Sequence, residues 1–138
     1  MSKRSLIFVC LLFMLWGSGA AAVRETVRFK PGTDSAEITG NVIRGEVDRY
    51  ELTAKEGQTM TVSITAEEDN AAFTIYLPGW EEKTEDDMTF IEGATLTGAG
   101  EGEDAVNCEA KLPAGGRYLI EVGGTRGNAS YKLKITIQ

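Results

Sequence analysis

Thr59-Met60-Thr61-Val62-Ser63-Ile64-Thr65 is the stretch that decides the fold. Its odd positions carry hydroxyls and its even positions are apolar, which is the period-two signature of a strand with one face on a core and one in water. A helix would need apolar residues every three to four positions. Upstream, residues 47–54 set Tyr50, Leu52 and Ala54 on one face, and Lys55-Glu56-Gly57-Gln58 makes the turn between the two runs. Val27 and Phe29 open the pattern before Pro31-Gly32, and residues 35–40 form a second short strand closed near Gly40-Asn41. Downstream, Phe73, Ile75 and Leu77 repeat the scheme before Pro78-Gly79. Residues 88–91 make a short strand, and 106–112 stops at Pro113-Ala114-Gly115-Gly116. The last two strands, 117–122 and 130–137, are joined by Gly123-Gly124-Thr125-Arg126-Gly127-Asn128 as a hairpin. Residues 93–105, rich in Gly, Ala, Glu and Thr, read as a flexible loop. The expected fold is therefore all-β: an antiparallel β-sandwich or jelly roll of about eight short strands.

The N-terminus reads differently. Lys3 and Arg4 precede an apolar run over residues 6–16, and Gly17-Ser18-Gly19-Ala20-Ala21-Ala22 follows with small side chains. The run is too short to cross a bilayer core of about 30 Å as a helix. It fits the apolar segment of a secretory signal peptide, with cleavage expected after Ala22 or, second, after Ala20. Cys10 follows bulky Phe8 and Val9, unlike a lipoprotein signal. The expected product is residues 23–138, one β-sandwich domain that does not span the membrane and lies in the periplasm or outside the cell.

Charge narrows the partners. Without Lys3 and Arg4, 12 basic residues stand against 21 acids, a net charge of −9. Residues 81–104 hold nine of those acids and only Lys83 as a base. Nucleic acid is excluded as a partner because phosphate binding needs clustered Lys and Arg. An acidic surface attracts a basic protein or a hard cation instead. Nothing in the pattern sets an oligomeric state.

The chain has no histidine, which removes the commonest general base and metal ligand. Cys108 is the one thiol after Cys10, so no internal disulfide forms in the product; its alternation with Val106, Ala110 and Leu112 makes it a core thiol. The acids lie in polar sequence, where nothing would raise a carboxyl pKa by desolvation, so an enzyme is not expected and no cofactor is implied. Asp86 and Asp87, or Glu103 and Asp104, could offer oxygens to calcium, but neither pair follows the spacing of a calcium loop. Trp80 and Tyr76 either stack on sugar rings or cap the end of the core. Asn128-Ala129-Ser130 is a glycosylation sequon. In the 123–128 turn, glycines allow a tight reversal that pushes Thr125 and Arg126 outward, and an arginine so placed can pair with a carboxylate in forked geometry.

Two blocks carry a family resemblance. Val27, Phe29, Gly32, Ser35, Ala36, Gly40, Asp48, Tyr50, Ala54, Gly57, Gln58, Val62, Ser63 and Ile64 resemble, without gaps, the first half of the periplasmic inhibitors of g-type lysozyme. Leu112-Pro113-Ala114-Gly115-Gly116-Arg117-Tyr118 through Val122, Thr125 and Arg126 resembles the family's later hairpin. The turn before Gly57-Gln58 and the Leu112–Tyr118 unit are also similar to bacterial pre-peptidase C-terminal domains. Gly115-Gly116 stands where such inhibitors often carry Ser-Gly, and the acidic region 81–105 is longer. The resemblance implies a protein that inserts loops into a g-type lysozyme cleft and bars peptidoglycan. It implies Gly116, Arg117, Tyr118, Thr125 and Arg126 as contacts, with Arg126 or Tyr118 donating to the enzyme's catalytic glutamate. The alternative is a stand-alone pre-peptidase-like domain that binds carbohydrate or calcium at the envelope.

Overall fold

A computed structural model describes residues 22–138 of the chain, and the expected signal segment up to residue 21 lies outside the described residues. Ten strands follow one another: β1 (Arg24–Thr26), β2 (Ser35–Val42), β3 (Val47–Ala54), β4 (Thr59–Ala66), β5 (Ala71–Tyr76), β6 (Glu81–Glu85), β7 (Met88–Glu92), β8 (Asn107–Lys111), β9 (Gly116–Gly124) and β10 (Ala129–Ile137). Eight make two four-stranded sheets, ordered β1-β3-β9-β5 and β2-β10-β4-β8, and β6-β7 is a separate hairpin. Every pair is antiparallel except the short parallel β1-β3.

The alternation at 59–65 is borne out: Met60, Val62 and Ile64 are buried while their neighbours are not. They meet Tyr50, Leu52, Phe73, Ile75, Tyr118, Ile120 and Val122 of the other sheet in one core, with Leu133 and Ile135 beside them. Face-to-face sheets bury one set of alternating side chains from each layer, and this sandwich does so.

Four expectations need correction. Val27 and Phe29 belong to no strand, although both pack on the core and the Val27 N–H still donates to the Glu51 carbonyl at 2.8 Å. Residues 93–105 are not a free loop. Leu96, Ala99 and Ala105 are buried there, and the segment bonds along the β5 edge through Phe73 N–H to Ala105 O, Ile75 N–H to Ala99 O and Leu96 N–H to Ile75 O. Apolar residues at the right spacing fasten a Gly-rich segment that composition alone makes look loose. Val106 is exposed because β8 begins one residue later, although Cys108 and Leu112 are buried. Finally, β9 and β10 lie in different sheets, so residues 125–128 form a crossing between layers and not a hairpin.

The acid-rich segment is ordered as well. β6 and β7 pair from Glu81–Glu92 to Glu85–Met88, closed by Asp86 and Asp87, both at positive φ (50° and 61°). Two such residues between paired strands make the mirror-image turn whose twist suits a hairpin, and aspartate tolerates that conformation. The hairpin's Ile91 and adjacent Trp80 pack with Tyr76 and Leu119, forming a second small core on the outer face of the β1-β3-β9-β5 sheet.

Candidate protein-binding site

The residues singled out in the sequence separate into two groups. Gly116 and Arg117 start β9, while Thr125 and Arg126 follow its end. Nine extended residues put the two groups roughly 25 Å apart, at opposite ends of the sandwich. They cannot sit side by side in one cleft.

Tyr118 is removed from the candidates altogether. It is fully buried between the sheets, and its hydroxyl donates to the Ala114 carbonyl at 2.5 Å. The strand begins at Gly116, and its third residue faces inward. Gly116 is half-buried at φ +144°, where a Cβ would stand 2.9 Å from the Pro78 side chain. Its role is to let two turns approach.

Arg117 is exposed but occupied. Its guanidinium carbon lies 4.6 Å from the centre of the Trp80 ring, and Nη1 is 3.7 Å from Glu51. Arg24 links the same Glu51, at 3.2 Å, to Glu82 on the hairpin. Trp80 Nε1 donates to the Arg117 carbonyl at 3.0 Å. This end is an ion-pair lattice that holds the β6-β7 hairpin down. Trp80 is buried and capped by Arg117, so it offers no face to a sugar ring.

The other end is a cluster of loops. The β9–β10 crossing meets the β4–β5 turn, residues 67–70, and the β2–β3 turn, residues 43–46. Asn70 organises it from a position 3 % exposed. Its Nδ2 donates to the carbonyls of Arg126 (3.0 Å) and Asn128 (2.9 Å), and its own carbonyl accepts from Thr125 N–H (2.8 Å). Asn128 Oδ1 accepts from Arg44 N–H at 2.8 Å, which ties in the third loop. Gly124 is required: a Cβ there would meet the Gly127 carbonyl at 2.5 Å, and Gly127 itself sits at φ +67°. On this frame Thr125 and Arg126 are exposed. Arg126 Nη2 donates to the Glu68 carbonyl at 2.8 Å. That bond aims the guanidinium while leaving most of its five N–H donors for another acceptor. Asn70, Glu68, Arg44 and Asn128 were missed as supports. The polar run Glu67–Asn70 marks a turn, but a turn does not reveal what its side chains will reach.

The calcium candidates do not converge. Asp86 and Asp87 close the hairpin, and Glu103 Oε2 accepts from Gly100 N–H at 2.6 Å. Among the described residues no group of three or more Cys, Asp or Glu side chains could hold a metal ion. Cys108 is buried, and burial, helped by Glu103, pushes its thiol pKa up, away from the reactive thiolate.

No family model matches the sequence, and no curated protein matches it. Solved structures do. A periplasmic lysozyme inhibitor of g-type lysozyme from Aeromonas hydrophila is 30% identical, with 85% of this chain and 98% of that one covered and a TM-score of 0.64. A mutant of the Escherichia coli inhibitor of the same description is 26% identical, with coverage of 86% and 100% and a TM-score of 0.61. The Salmonella Typhimurium inhibitor, at 24% identity, 83% and 98% coverage and a TM-score of 0.58, agrees in fold.

Proposed function

This chain belongs to the family of periplasmic inhibitors of g-type lysozyme, and from that membership we propose that it binds a g-type lysozyme and blocks its peptidoglycan cleft with the loop cluster around Thr125–Asn128. The related solved structures are inhibitors and not enzymes. Binding here needs no chemistry from the chain. A rigid protrusion that fills the cleft excludes the polymer sterically.

The observation that carries the reading is the Asn70-centred frame beneath Arg126. A contact held rigid before binding loses little conformational freedom on association. An exposed arginine on such a frame can form a forked, charge-assisted pair with a carboxylate in the enzyme's cleft. The net charge of −9 on residues 23–138 supports the same reading, because a basic enzyme, suited to an anionic wall, would be steered to it electrostatically. Residues 1–22 are proposed to direct export and to be removed.

Titration against g-type and c-type lysozymes is the test. Micromolar protein should abolish wall lysis by the g-type enzyme, and Arg126→Ala should weaken inhibition at least tenfold, about 1.4 kcal/mol. No inhibition of any lysozyme at that concentration would refute the function. Undiminished inhibition by Arg126→Ala would refute the site alone.

A further inference from the structure

Asp48 is only 1 % exposed, the second residue of β3 and on the strand's buried face. Among the described residues it makes no ion pair. Its Oδ2 accepts from the Tyr131 hydroxyl at 2.6 Å, and its Oδ1 accepts from the main-chain nitrogen of Val23 at 2.9 Å. Tyr131 gives its one proton to Asp48, so Tyr50, 2.5 Å away, must donate to Tyr131. One hydroxyl, itself backed by the Tyr50 hydroxyl, and one main-chain N–H thus meet the buried carboxylate. A buried charge with no opposite charge is costly, so this arrangement is short of one cation.

The missing cation has a source on the same nitrogen. We propose that removal of residues 1–22 completes this arrangement: the new α-ammonium of half-buried Val23 becomes the counter-ion of buried Asp48. Hydrolysis of the Ala22–Val23 bond by one water leaves a carboxylate on Ala22 and, after proton transfer, an ammonium on Val23, the protonated form of an amine whose ordinary pKa is about 7.7–8.0. The nitrogen already lies at hydrogen-bond distance from Oδ1, so the pair forms with no rearrangement of β1 or β3. The Val23 carbonyl, bonded by Arg49 N–H at 2.8 Å, holds the terminus in place. Cleavage after Ala20 would leave two extra residues and an uncharged amide at this position. The site therefore reads the processing position to the residue.

This inference rests on the proposed leader removal and is independent of the lysozyme target. Residues 23–138 contain all ten strands and both cores, so the processed chain is the folding unit to test. Four proteins should be compared by thermal unfolding at pH 6.5: one beginning at Val23, one beginning at Ala22, and Asp48→Asn in each of these backgrounds. The Ala22 form keeps the terminal charge and moves it by one residue. The Val23 form should melt about 4 °C or more above the Ala22 form, a difference on the order of 1 kcal/mol. Asp48→Asn should erase that gap. Equal melting of the two forms with Asp48 intact would overturn the pairing, even if the asparagine variants fail to fold. Mass spectrometry of the exported protein should find Val23 first; another first residue would overturn the processing position, with lysozyme inhibition unaffected.

Discussion

The side-chain amide of Asn70, 3 % exposed, donates to the carbonyl of Arg126 at 3.0 Å, so an exposed cation of the loop cluster is positioned from beneath by a buried neutral group. Asn70→Ala would leave two carbonyls without their donor. The expected cost is about 1–3 kcal/mol in urea unfolding. Inhibition should also fall although Arg126 is unchanged. Asn70→Asp should be worse, because a carboxylate accepts only and would face the carbonyls of Arg126 and Asn128.

Arg126→Lys separates charge from geometry. Among the described residues the Arg126 side chain hydrogen-bonds only the Glu68 carbonyl, so stability should change by less than about 0.5 kcal/mol. A lysine keeps the charge but cannot form a forked pair. Inhibition should fall between parent and Arg126→Ala, seen as faster dissociation in a binding assay. Parent-like dissociation would show that forked geometry is not used.

What the sequence makes legible follows from which physical signal each segment carries. β4 reads cleanly because one face is apolar and the other hydroxylic. β6 does not, because Glu81–Glu85 has no apolar face; it becomes a strand only through pairing with β7 and the Asp86-Asp87 turn. Alternation also says which residues face inward and nothing about which strand lies alongside. For that reason the 123–128 glycines suggest a hairpin, whereas β9 pairs with β3 and β5, and β10 with β2 and β4. Arg126 was legible as an exposed turn residue. Its support was not, since Asn70 reaches it across 56 positions of sequence.

Arg117→Ala tests the opposite end. Removing the guanidinium uncovers the Trp80 ring and drops one of the two arginines on Glu51. A partly exposed stack of this kind is worth about 0.5–1 kcal/mol. The expected result is that modest loss of stability with a red-shifted tryptophan emission and unchanged inhibition. A tenfold loss of inhibition would move the contact surface to this end.

Alkaline pH should unfold the protein through its buried phenols. Burial first, then the Asp48 and Tyr50 hydrogen bonds, raise the Tyr131 pKa above its ordinary value of 10.0. Burial and then the Glu101 hydrogen bond, 2.6 Å from the Tyr76 hydroxyl, do the same for Tyr76. A raised folded-state pKa means that above pH 10 the unfolded chain releases protons the folded chain retains. The associated stability is complete below about pH 10 and declines as pH rises further. Melting temperature should therefore fall steadily above pH 10. Tyr76→Phe, which loses an acidic partner near the surface, should flatten that slope at modest cost at pH 7. Tyr131→Phe should flatten it too but begin from a lower stability, because Asp48 loses a donor inside the core. Both variants melting in parallel with the parent from pH 8 to 11 would show that these phenols do not govern alkaline unfolding.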